Sequence, residues 1–225
     1  MTATLNLGPI LSFLGELSQN NNKAWFEQHR PDYQSTRSIF EQFINGIIDE
    51  FRLSNHLEGL SARDCIARIY RYIRFSKDKS PYKTNLAAIV APGGWKVTSF
   101  GYYISIQPRG QSIVAGGLHD PTPEQLVRFR QAIDRDAAAL KKITRARLFI
   151  ETFRAIEGDR LKTSPKGYDR THPEIALLQL KQITAVHPFT DQEVLADDFA
   201  VQVVRACHAM EPFLNYLSDI VQQAG

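Results

Sequence analysis

Cysteine is scarce: the chain of 225 residues has two, Cys65 and Cys207. Two distant cysteines exclude a disulfide framework and a four-cysteine zinc site, and they suit a reducing compartment. Charge of one sign is also lacking. Against 27 Lys and Arg stand 24 Asp and Glu, a formal +3, too little to announce a nucleic-acid or membrane partner as a total. No run approaches the ~18 consecutive apolar residues of a membrane span. The start, Met1 to Leu17, lacks a basic n-region, and Gly8, Pro9, Ser12 and Gly15 interrupt it. A cytoplasmic location without membrane attachment is expected.

Chemical signatures are missing too. There is no phosphate loop ending in Lys-Ser or Lys-Thr, no dinucleotide fingerprint and no nucleophile elbow. The six histidines form no closely spaced pair suited to a metal on one helix face. No metal and no cofactor is expected. Both cysteines sit on apolar faces and read as small core residues, and Trp25 and Trp95 read as packing anchors. There is no internal repeat and no low-complexity tract.

What is present is a change of period along the chain. The first third is helical: an apolar face from Ile10 to Leu17, a cap at Asn21 or Asn22 before Trp25 and Phe26, and a helix opened by Pro31 that ends near Leu53. From Cys65 to Phe75 the pattern alternates, with Arg68, Tyr70, Tyr72 and Arg74 on one face, and predicts a strand. Further strands are expected at Leu86–Ala91, Phe100–Gln107 and Gln111–Ala115, joined by short turns and therefore antiparallel. Helices return at Thr122-Pro123, across Ala146 to Ile156 with an end at Gly158, at Thr171-His172-Pro173, and at Thr190, whose long helix carries Pro212. A short extra strand is expected at Ala185 to His187.

With no linker long or polar enough to divide the chain, the reading is one α+β domain with an ordered core over about residues 9–220. A mainly antiparallel sheet of four to five strands lies mid-chain, packed by N- and C-terminal helices.

One segment stands apart. Between Arg63 and Lys83 lie seven basic residues and two acids, a net +5, so the rest of the chain is slightly acidic at −2. Arg68, Arg71, Arg74, Lys77, Lys79 and Lys83 are the candidate ligand-binding residues. Guanidiniums on a strand beside a turn rich in ammonium groups suit phosphate or carboxylate. Ser80-Pro81 is expected to open a helical turn whose N–H groups attract anions. Arg71 projects to the apolar face and calls for a partner such as a buried carboxylate. A solvated basic face paired to acidic helix residues would give the same pattern.

A second region, Gly116-Gly117 before His119-Asp120, offers positive φ or close backbone approach beside an acid/base pair, and also suits a plain strand-to-helix turn capped by Thr122. Tyr82, Tyr102 and His119 are the weak candidates for proton transfer.

Three functions fit. The first is binding of a phosphorylated small molecule or other anion on residues 66–85, with or without turnover. The second is nucleic-acid binding through the basic strand and Tyr70, Tyr72, Tyr102 and Tyr103, which the small net charge disfavours. The third is a protein-interaction or regulatory domain in which the basic strand is structural or meets an acidic partner. The oligomeric state cannot be read from the sequence.

Asn21-Asn22-Lys23-Ala24-Trp25-Phe26 with Arg30 and Tyr33, followed by Arg68-Ile69-Tyr70-Arg71 and Arg74-Phe75-Ser76-Lys77-Asp78-Lys79-Ser80-Pro81-Tyr82-Lys83-Thr84-Asn85, resembles domain-of-unknown-function family 2461, uncharacterised proteins of bacteria and fungi. Tyr102-Tyr103, Gly116-Gly117, Pro121, Leu126 to Arg130, Pro165 to Tyr168 and His172-Pro173 carry the likeness on, from about Leu11 to Leu217. The resemblance implies no particular activity. It departs at Tyr72, where the family usually has an aspartate, and more mildly at Ala115, often glycine.

Overall fold

The structure, a computed structural model, describes residues 5–52, 57–96 and 100–222. These form two compact units, residues 1–114 with 188–205 and residues 115–187 with 206–225. The fold is α+β. Four strands, β1 (Leu86–Val90), β2 (Tyr102–Ile106), β3 (Ser112–Leu118) and β4 (Ile183–Phe189), form one open antiparallel sheet in the order β1-β2-β3-β4. N-terminal and C-terminal helices flank it. The chain changes unit inside β3, inside β4 and inside the last helix.

The first unit opens with α1 (Gly8–Gln19), which buries Ile10, Leu11, Phe13, Leu14 and Leu17, the face that the apolar spacing predicts. Asn22 caps α2 (Lys23–Gln28), its side chain accepting from the Trp25 N–H at 3.0 Å. Pro31 lies in the first turn of α3 (Arg30–Phe51), which buries Phe40, Phe43, Ile44, Ile47, Ile48 and Phe51. The expected end near Leu53 falls outside the described residues. The alternation of β1 and β2 fixes their register, with Ala87 opposite Ser105 and Ile89 opposite Tyr103.

The expected strand at 65–75 is not a regular strand. A capping box between Ser61 and Asp64 draws Ala62–Cys65 into a helical turn, α4. Beyond it the chain is extended but joins its neighbour only through the isolated bridges Ile66–Ala88 and Tyr70–Tyr82. Pro81 lies opposite and has no N–H to donate, so the ladder breaks there. The Arg71 N–H still bonds the Pro81 carbonyl at 2.9 Å, and the Lys83 N–H that of Ile69 at 2.8 Å. Nor does a helix begin at Ser80-Pro81: the chain bends and pairs at Tyr82 instead.

In the second unit α5 (Pro123–Arg135) starts with the capping box of Thr122 and Gln125. The helix expected to run to Gly158 is shorter: α6 (Ala138–Thr144) precedes α7 (Arg147–Phe153), which stops because Arg154 takes a φ of 63°. The helix expected from Thr171 is the single turn α8 (Ile175–Leu178). The extra strand is a full one, β4. At Thr190 the expected long helix is two, α9 (Asp191–Val194) and α10 (Phe199–Gln222), with Pro212 inside the latter. Gly117, at φ 120°, lies where a Cβ would stand 2.2 Å from the Ile183 carbonyl oxygen, so that side of β3 admits only glycine. Among the described residues no helix is long and apolar enough to cross a membrane.

Candidate anion site

The basic segment is held by the N-terminal helices. Phe26, fully buried, stacks on Tyr82 with centroids 4.0 Å apart and planes inclined by 13°. Between α1 and α2, the Asn21 side chain meets both backbone groups of Tyr82: its Nδ2 donates to the carbonyl at 3.0 Å and its Oδ1 accepts from the N–H at 3.1 Å. An amide thus stands where a strand neighbour would. Phe13 and Tyr33 close the aromatic cluster around Phe26. Asn21 and Tyr82, 61 residues apart in the chain, are therefore parts of one local structure.

Beside Tyr82 lies a polar recess of about 430 Å³. Arg71 and Lys83 are its cations and Asp78 its acid, while Ser18, Asn21, Ser80, Thr84 and Asn85 supply hydroxyls and amides. Arg71 has its partner, and it is not a buried carboxylate: the guanidinium pairs with Asp78, seven residues on and more than half exposed. Asp78 in turn accepts from the Ser80 N–H at 2.9 Å and the Ser80 hydroxyl at 2.6 Å. Those two Ser80 bonds first, and Arg71 after them, hold the Asp78 carboxyl far below the usual carboxylate range.

Lys83 is different. It is partly buried over the Trp95 ring, with its ammonium 5.4 Å from the centroid. Burial, and then the like charge of Arg68, lower its pKa. Among the described residues no carboxylate pairs with it.

The remaining predicted residues divide. Lys79 folds back to donate to the Ile73 carbonyl at 3.1 Å. Arg68, Arg74 and Lys77 are exposed, with the Arg74 guanidinium over the Phe75 ring at 5.3 Å. Tyr82 lines the recess, and burial pushes its phenol up. Tyr102 does not join them: it is 1% exposed, with its ring 4.9 Å from Phe51. Strand alternation sends its neighbour Tyr103 to the opposite face, where Asn85 Nδ2 reaches the Tyr103 hydroxyl at 3.4 Å and the Ser105 hydroxyl at 2.8 Å. His119 belongs to the second unit, exposed just past the end of β3.

The sequence reading missed Ser18, Asn85 and Arg109. The turn Pro108-Arg109-Gly110 sets Arg109 at φ 69°, and the N–H groups of Arg109 and Gly110 both donate to Asp191 at 2.8 Å. The Arg109 side chain then donates to Ser18 Oγ at 3.4 Å, bringing a further cation to the rim of the recess. No spacing in the sequence links residues 18, 85 and 109.

A family model described as Conserved hypothetical protein (DUF2461) matches residues 9–216. The chain belongs to this family. No curated protein and no solved structure matches it. The DUF2461 match spans nearly the whole chain and so takes in the Asn21–Tyr82 clamp, the recess and its cations.

Proposed function

We propose that the recess beside Tyr82 binds a small anion, a phosphorylated small molecule, in the reducing compartment that two buried free thiols suit. Lys83 carries this reading. A half-buried ammonium with no carboxylate paired to it among the described residues, and with Arg68 as a repelling charge, is electrostatically incomplete, and an anion in the recess would complete it. Arg71, fixed by Asp78, offers its remaining N–H groups as a positioned fork. Thr84 adds a neutral hydroxyl of the kind that orients phosphate oxygens, while the Ser18 and Ser80 hydroxyls already donate to the Gly15 carbonyl and to Asp78, and the Asn85 amide to Ser105. The reading is one of binding.

Thermal melting with inorganic phosphate, a nucleoside monophosphate and a sugar phosphate tests it. Saturable stabilisation is expected, about 2.7 kcal/mol at a ligand concentration one hundred times Kd. Lys83→Met, with affinity about tenfold weaker, is expected to roughly halve the stabilisation at the same ligand concentration while the unliganded protein melts as before. A folded sample that responds to none of the three ligands overturns the proposal.

A further inference from the structure

The opposite face of the same segment carries a different feature. From Arg68 to Arg74 the chain bends at Ile69 and at Arg74, yet alternate side chains reach solvent, and these are Arg68, Tyr70, Tyr72 and Arg74, all exposed. Phe75 continues the strip at 83% exposure, with Tyr72 at 65% and Tyr70 at 46%. Every Phe, Trp or Tyr that is exposed among the described residues lies here or at Trp95, under Lys83. Elsewhere the rings are buried or half-buried, so this is a concentration and not a general property of the surface.

The rings are also arranged. Tyr72 meets Phe75 edge to face with centroids 6.3 Å apart, and the Arg74 guanidinium lies over the Phe75 ring. Tyr70 leans on Tyr82 at 5.4 Å and on Phe26 at 6.3 Å, beneath Arg30, whose guanidinium lies over the Phe26 ring and is forked onto Glu27. Tyr70 is thereby braced against the helices, with one face left to solvent.

We infer that this strip, Arg68, Tyr70, Tyr72, Arg74, Phe75 and Lys77, binds single-stranded nucleic acid, with bases stacked on the rings and phosphates on the cations between them. Cations and rings are interspersed along the strip, in the order Arg68, Tyr70, Tyr72, Arg74, Phe75, Lys77, as phosphates and bases are along a single strand. The stacked ring needs no sequence-specific partner, because every base has a π-face. The chain's small net charge does not oppose this. What acts on a polyanion at short range is the local field, and the 63–83 segment carries +5. A duplex, with its bases already stacked, can use only the cations. The strip shares no residue with the anion recess, whose cations are Arg71 and Lys83, although the charge of Arg68 is felt at Lys83.

The test is fluorescence anisotropy with an oligothymidylate of about 12 nucleotides, a duplex of equal length, and vesicles rich in anionic lipid. Saturable binding to the single strand, tighter than to the duplex, is expected, with log K falling against log salt at a slope of about −2 for three phosphate contacts. Tyr72→Ala and Phe75→Ala should each weaken binding roughly tenfold, while Tyr72→Phe keeps it. Both positions are exposed, so melting should hold and report that the fold is intact. Lys83→Met, which removes one of the two cations of the recess, should leave single-strand binding within about twofold, so the two proposals fail separately. Absence of binding at low salt, equal affinity for the duplex, indifference to ring removal, or capture by vesicles in place of the oligonucleotide each overturns the inference.

Discussion

Two polar clusters, one in each unit, fall within the residues that the family model matches, yet they differ in one respect. In the second unit the charged groups are answered. Arg130 donates from Nε to the Leu178 carbonyl at 2.9 Å and from Nη2 to that of Leu180 at 3.3 Å. Lys141 pairs with Glu174. His172 accepts the Glu174 N–H on Nδ1 at 3.0 Å, so its neutral ring carries the proton on Nε2 and donates it to Asp134, also at 3.0 Å. In the first unit Arg71 and Lys79 are answered, while Lys83 faces Arg68 and the exposed Arg74 covers only a ring. Both clusters are rich in the residue types that carry chemistry. The saturated one organises α5 and α8, and the unsaturated one has bonding capacity left for a ligand.

That contrast breaks first at Arg130. Arg130→Met would strand two carbonyls that terminate α8, and should cost about 3 kcal/mol in denaturant unfolding, with phosphate and oligonucleotide binding unchanged. If it left stability intact and removed a ligand response, the saturated cluster would be a site after all. At Lys83 the expectation is reversed. Sulfate affinity should drop about tenfold in Lys83→Met, with little change in stability, since the substitution removes a desolvated charge and its repulsion from Arg68. The pH profile sharpens this further. Binding needs the ammonium, and burial and Arg68 lower its pKa, so affinity for sulfate should decline on the alkaline side before the ordinary lysine range is reached. Lys83→Arg, protonated throughout, should lose that decline.

Asp78 gives a smaller effect with the opposite sign. Its folded pKa is depressed, so its contribution to the 71–80 loop is complete above the unfolded aspartate value of about 3.9. That contribution declines progressively below this value and is gone once pH has fallen through the much lower folded value, while the folded carboxylate itself stays ionised through mild acid. Exchange of the Ser80 amide hydrogen, read against pH, should stay slow through mild acid in the native chain. It should be faster at every pH in Asp78→Ala, which lacks the acceptor.

The difference in saturation explains how much the sequence could show. Local features were legible: the Asn22 and Thr122 caps, the α1 and α3 faces and the β1 and β2 spans all follow from patterns a few residues long. Alternation correctly placed Arg68, Tyr70, Tyr72 and Arg74 on an exposed face, although the pairing behind it fails at Pro81. Period alone cannot see whether a partner strand can donate. The site was legible as a charge excess but not as a shape. That Asn21 clamps Tyr82, that Asn85 meets Ser105, and that Arg109 reaches Ser18 depend on contacts across 20 to 91 residues of chain. The choice of Tyr102 over Tyr103 turned on strand phase, which one residue inverts.

The finest test concerns Tyr72, the exposed ring that follows Arg71 in the chain. Tyr72 is mostly exposed and touches Phe75 by its edge, so nothing in the core depends on it. Tyr72→Asp should therefore change stability by less than about 0.5 kcal/mol. The added carboxylate would follow Arg71 directly in the chain and stand on the exposed face with Arg74. Oligonucleotide affinity should fall at least as far as in Tyr72→Ala, because a repelling charge replaces a stacking ring, while the sulfate response of the recess stays close to that of the native chain. If sulfate binding instead collapsed with Tyr72→Asp, the two faces of the segment would be one site, and the division drawn between recess and strip would be wrong.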